Sequence, residues 1–287
     1  MSRSIRQPGP PAAERAALVA VGALALDCML PAGMRLLDAL ACLLADGRCE
    51  SACLALSGGA FGPFAYVTPA AAPDAAHAAF YSAVHRPAGE TRLAAGAVTL
   101  GWRDGQPFFH CHALWTEAGG RAGCGHVLPE ETMIAAPIHA QGAAIVGARF
   151  EVHADAETGF GLLTPRATGT APPSGARPAV ALRLAPNQDL AAALEAAGRQ
   201  ARLHRATLHG GVASLIGARF ADAPPIAGFA TEVFMRAGTL RCADDAAGPA
   251  SLLTATVVDL YGSIGTGHLV AGDNPVLMTF EGVLAAA

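Results

Sequence analysis

Lysine is absent from this 287-residue chain; all 19 basic residues are arginine. A lysine Schiff base is excluded, and with it ordinary pyridoxal-phosphate chemistry. A phosphate loop of the G-x-x-x-x-G-K-[ST] kind is excluded too. An anion held by a side-chain cation must therefore meet arginine or a bound metal. Charge of either sign is scarce, at 15% of residues with a net charge of −4. No global field draws nucleic acid or anionic lipid to the chain. The seven cysteines (Cys28, Cys42, Cys49, Cys53, Cys111, Cys124 and Cys242) contain no C-x-x-C pair. Their odd number and irregular spacing point to reduced thiols of a cytoplasmic protein. The longest apolar run, AALVAVGALAL at 16–26, is too short to span a bilayer. Arg3, Arg6 and Arg15 precede it, but the Pro-rich stretch before it and Asp27 after it argue against a signal peptide. It reads as a buried strand.

What is present is apolar: 52% of residues are hydrophobic, ample for one large core or two ordinary ones. Residues 1–14 read as an extended arm, and 166–178 (RATGTAPPSGARP) as a linker. The segments on either side of that linker repeat one order of elements. In the first, a strand at 24–31 is followed by a helix over 34–47. This helix presents Leu36, Leu37, Leu40, Leu43 and Leu44 on one face and closes at Gly47. In the second, a strand at 180–186 is followed by a helix over 187–201, with Asn187 as N-cap and Leu190 and Leu194 on one face. Each helix leads to a strand ending in a double glycine, Gly58-Gly59 and Gly210-Gly211. A hairpin follows in each. The first turns at Asp104-Gly105, a strong hairpin signal, and the second turns within 244–250. Each copy then closes with a glycine, a histidine and a final strand. The fold expected is α+β: two tandem antiparallel-sheet domains, 15–165 and 179–287, each with a helix packed on its sheet.

The chemistry concentrates in PFFHCHALW (107–115) and CGHVLPEET (124–132). A strand alternates its side chains, so His110 and His112 share a face. His126 follows on the next predicted strand. Three imidazoles converging from neighbouring strands suit zinc or another divalent transition metal and leave a coordination position open. The alternative is three packed, hydrogen-bonded histidines. Cys124 shares parity with His126, as a fourth ligand or as a buried thiol. Glu130 and Glu131 follow closely, as general base or ligand, or as solvated loop charges. Arg149 can hold a substrate carboxylate in a bidentate fork, or a salt bridge. Gly58 and Gly59 can admit a ligand close to the backbone, or mark a bulge.

These residues resemble the PPC (plants and prokaryotes conserved) domain family. The likeness rests on Gly58-Gly59, His110-x-His112, Gly125-His126 and the closing FEVHADAETGFGLLTP (150–165). It covers about 15–165 and, more weakly, 179–287. The family is similar in fold to α-acetolactate decarboxylase, a zinc enzyme with histidine ligands. The resemblance implies a PPC-like fold, a homo-oligomer with a trimer favoured, and a metal-dependent lyase or hydrolase with a small-molecule substrate. Plant members bind AT-rich DNA through an AT-hook, and no R-G-R-P hook is present here. The second copy carries Thr254-Ala255-Thr256 in place of His-x-His and keeps His268, so no metal is expected there. Two further readings remain. One is a DNA-associated regulatory protein using Arg199, Arg202 and Arg205 with His204, which the charge opposes. The other is a non-catalytic structural oligomer.

Overall fold

The computed structural model describes residues 3–45, 47, 49–243 and 250–287. β1 (Ala16–Leu30) leads into α1 (Leu36–Ala45) and β2 (Ser51–Ser57). Short strands follow: β3 (Ala60–Phe61), β4 (Tyr66–Val67), β5 (Pro69–Ala70) and β6 (Phe80–Tyr81). Next come β7 (Thr91–Arg103), β8 (Gln106–Thr116), β9 (Ala122–Val127) and β10 (Ile134–Ala136). The first half ends with β11 (Ile138–Val146), β12 (Ala148–Ala154) and β13 (Gly161–Ala167). The second half opens with β14 (Arg177–Leu184) and α2 (Leu190–Gln200). It continues through β15 (Arg205–Ala218), β16 (Ile226–Arg241), β17 (Leu252–Asp259), β18 (Ile264–His268) and β19 (Val276–Ala286).

The molecule is mostly antiparallel sheet with two short helices, an α+β architecture. Pairing runs β1–β11–β2–β7–β8–β9 in the first half. It runs β14–β19–β15–β16–β17–β18 in the second. One pairing order thus occurs twice. β1 joins the two ladders: its later residues pair β11 (Leu26↔Gly142) and its earlier ones pair β14 (Leu18↔Leu182).

Strand alternation decides the layers. Phe109, Cys111 and Ala113 of β8 pack with Leu36, Leu40 and Leu44 of α1 in one core. Val233 and Met235 of β16 pack with Leu190 and Leu194 of α2 in another. The alternate residues point the opposite way and meet each other: Ala95, Ala97 and Cys124 close against Val212, Phe234 and Val258. Each ladder thus carries its helix on one face and the other ladder on the second.

The structure corrects several sequence expectations. β1 is not buried throughout: Val21, Gly22, Ala23 and Leu30 are buried, and residues 24–29 alternate between half-buried and exposed. It leaves Asp27 outside to pair His139 at 2.8 Å. α2 is capped by Asp189, whose side chain accepts from Ala192 N. Asn187 instead adopts φ 62° and its amide brackets Ile5 of the N-terminal arm. Gly210-Gly211 does not end a strand; it is a bulge within β15, where pairing to β19 shifts between His209 and Val212. The linker is shorter than expected, since β13 reaches Ala167 and β14 starts at Arg177. The Asp104-Gly105 turn is as read, with both residues at positive φ (51° and 74°) as a type I′ hairpin needs. Residues 244–249 of the second predicted turn lie outside the described residues.

Candidate metal centre

β8 and β9 are antiparallel neighbours in a register that sets His112 directly opposite His126. Two-residue alternation puts His110 on the same face as His112. That is the face turned toward the second ladder. The three rings lie 4.7–5.3 Å apart by centroid. His110 Nε2 stands 3.0 Å from His112 Nε2, and His126 Nδ1 stands 3.3 Å from the same atom.

The opposing ladder closes the group. Glu232 of β16 brings Oε2 within 2.6 Å of His112 Nε2. The donor atoms of His110, His112, His126 and Glu232 all lie within 4.8 Å of one another. Glu281, fully buried on β19, accepts from His110 Nδ1. His112 Nδ1 donates to the Val233 carbonyl at 2.9 Å.

These outer bonds fix the tautomers. A neutral imidazole protonated at Nδ1 has a bare lone pair at Nε2. His110 and His112 thus each turn Nε2 toward the centre, where a carboxylate oxygen stands too. Nitrogen and oxygen atoms packed so closely are held together by a proton or a metal ion shared among them. Imidazole and carboxylate are the donor types zinc accepts, and outer hydrogen bonds to Nδ1 orient such ligands. Burial, then His110, His112 and Arg103, hold His126 well below the usual histidine pKa, so it stays neutral as a ligand must. His110 is raised on balance: burial works against its charge, but Glu281 outweighs that.

Other predicted residues lie elsewhere. Glu131 is bound at the surface to Arg86 at 2.6 Å, and exposed Glu130 is outside the group. Loop 128–133 returns to the α1 side through Met133–Pro63 and Leu36–Thr132 backbone bonds, which carries both carboxylates away. Arg149 lies over the Trp102 ring at 4.8 Å. Gly58 and Gly59 bend the chain between β2 and β3, and a Cβ at Gly59 would stand 2.3 Å from the Pro137 carbonyl. Cys124 is buried among apolar side chains and its thiol pKa is raised by burial. In the second half, His268 pairs with Thr254, whose hydroxyl stands 2.9 Å from the ring's Nδ1.

Glu232 and Glu281 went unread in the sequence. Their signal was a lone carboxylate in an apolar strand, TEVFM and TFEGVL, where only a buried partner makes a charge tolerable. Arg103 was also passed over. Its guanidinium stacks 3.6 Å above Phe108, on the face of β8 that carries His110, and it depresses the basicity of both His110 and His126.

No family model matches the chain, and no curated protein matches it. Among solved structures, it is similar to a plant- and prokaryote-conserved (PPC) protein from Pyrococcus horikoshii at 17% identity. The alignment covers 50% of this chain and 93% of that one with a TM-score of 0.40. It is similar to a metal-containing protein from Archaeoglobus fulgidus at 18% identity, covering 50% and 94%, with a TM-score of 0.40. It is similar as well to a proposed DNA-binding protein from Ralstonia eutropha at 19% identity, covering 48% and 88%, with a TM-score of 0.35. Each of these neighbours, PPC protein included, aligns with about half of the present chain.

Proposed function

We propose that the chain binds a divalent metal ion, zinc or a neighbouring transition metal, at His110, His112, His126 and Glu232. We propose further that it uses the ion in a lyase- or hydrolase-type reaction on a small carboxylate-bearing molecule. The observation that carries this is the convergence of three imidazole nitrogens and a carboxylate oxygen, all within 4.8 Å of one another. A metal bound there supplies Lewis acidity, polarising a carbonyl or lowering the pKa of water.

The side chains divide the remaining work. Glu281 and the Val233 carbonyl orient His110 and His112. Glu232, not Glu130 or Glu131, is the carboxylate that completes the donor set. Arg103, not Arg149, is the cation beside the site, and none of its donors is spent on a protein acceptor among the described residues. It suits an anionic end of a substrate. The Tyr81 ring lies 5.4 Å from His126 at the solvent side. Burial, then Glu232 and Glu281, hold its hydroxyl protonated, as a hydrogen-bond donor. The reaction class rests on the likeness to α-acetolactate decarboxylase.

We read the two halves as tandem PPC-like copies, supported by the repeated pairing order, with homo-oligomerisation of the whole chain as a further proposal. Metal analysis of the purified protein tests the main reading: about one equivalent in the wild type, lost in His112→Ala. Absence of stoichiometric metal after refolding with zinc or cobalt would reject it. The DNA-associated reading follows the similar protein from Ralstonia eutropha, itself a proposed DNA-binding protein. A salt series on random duplex DNA tests it, since phosphate contact gives a steep salt slope.

A further inference from the structure

Beside the candidate metal centre is a cavity of about 50 Å³ that lies between the two ladders. Its polar end is His110, His112 and Glu232. Its other walls are apolar: Phe80 and Phe160 on one side, Ala230, Leu277 and Met278 on the other. The hydroxyls of Tyr81, Ser214, Thr231 and Thr279 also border it. Ser214 accepts from Met278 N at 3.0 Å, and Thr231 is bonded to both Leu215 N and Leu215 O. Thr279 accepts from Arg183 at 3.3 Å. The charged and imidazole groups of the lining all stand at the histidine end, where the Tyr81 ring also lies beside His126, and the rest of the wall is mostly apolar.

An apolar cavity stays dry and takes apolar guests. At roughly 10–15 Å³ per water-sized probe, this one holds on the order of three or four non-hydrogen atoms. We infer that it seats a short aliphatic group of that size on a ligand whose oxygen-bearing head meets His110, His112 and Glu232. This inference rests on the metal reading above and deepens it by naming the ligand class: short-chain molecules with a metal-binding oxygen head. The walls come from both halves of the chain, Phe80 and Phe160 from the first and Ala230 and Met278 from the second. Chain-length selection is therefore a property of the paired ladders.

The test uses cobalt(II)-loaded full-length protein, whose visible bands report the metal directly, and a series of straight-chain aliphatic hydroxamates. The expected result is affinity rising about fourfold per added methylene, up to three or four tail carbons, then falling at least about tenfold by octanohydroxamate. Ala230→Val should move the optimum to a shorter tail and Met278→Ala to a longer one; opposite shifts cannot both arise from damage to the fold. Affinity that ignores tail length, or climbs steadily through octanohydroxamate, overturns the inference while the cobalt bands leave the metal reading standing. Missing cobalt bands at stoichiometric metal overturn the metal reading, and the inference with it.

Discussion

Glu281 and His110 lie 171 residues apart, one on the last strand and one on the eighth, yet the fully buried carboxylate accepts from Nδ1 of the ring. The second carboxylate oxygen has no partner among the described residues. A buried charge is kept only where it is used, and here it fixes both the tautomer and the angle of a ligand. Glu281→Gln keeps an acceptor but removes the charge, and Glu281→Ala removes both. Metal affinity is expected to fall by about 10- to 100-fold in Glu281→Ala and by less in Glu281→Gln, measured by competition with a chelator. Equal affinities in all three proteins would show that the contact is packing alone.

Glu232 and Glu131 give a paired test of which carboxylate matters. Glu232 stands 2.6 Å from His112 Nε2, while Glu131 is occupied by Arg86 at the surface. Glu232→Ala should weaken cobalt(II) binding and alter its visible spectrum, since one oxygen leaves the donor set. Glu131→Ala should leave both unchanged. Titration of the two variants side by side checks this, and a spectrum altered only by the Glu131 change would reverse the assignment.

The difference between these two glutamates also explains what the sequence could reveal. His110, His112 and His126 were legible because alternation along β8 and pairing to β9 are local facts, settled within 17 residues. The repeated order of elements was legible because each half carries its own apolar helix face and double glycine. Glu232 and Glu281 were not, because their placement depends on two ladders stacking face to face. No spacing in the chain encodes that. Glu130 and Glu131 misled through nearness in sequence: the loop after β9 turns back toward α1 and takes them off the histidine face. Asn187 misled as a helix cap because Asp189, two residues on, offers the same chemistry at the observed helix start.

The thiols provide a check on the burial pattern. Cys42 is exposed on α1, whereas Cys53, Cys111 and Cys124 are buried and their pKa values raised by burial. Cys49 is pushed up to about 11 by burial and then by Glu50, which leaves about a thousandth of it as thiolate at pH 8. With iodoacetamide at pH 8, Cys42 should label first and Cys49 far more slowly. Cys53, Cys111 and Cys124 should label only as the protein unfolds. Mass spectrometry of a time course reads the order. Rapid labelling of Cys124 in folded protein would contradict its place among the packed side chains between the ladders.

Glu50 ties the connection between the halves to the first ladder, and its titration should be visible in stability. Its carboxylate accepts from Gly147 N at 2.7 Å and from the hydroxyls of Thr168 and Thr170 at 2.9 Å each. Burial alone would raise its pKa, but these three bonds, with Arg149 nearby, hold it below the usual glutamate value. A carboxyl whose pKa is lower folded than unfolded contributes stability that is fully present above the unfolded value. That contribution is lost as pH falls through the folded value. Wild-type stability should therefore decline on acidification below about pH 5, in part through this group. Glu50→Gln should be less stable at pH 7 and show a shallower decline between about pH 5 and pH 3. Urea unfolding across that range measures both slopes. The acid loss would be assigned to other carboxylates if the variant's slope matched the wild type's, and the connection at 168–170 would then be held by its backbone alone.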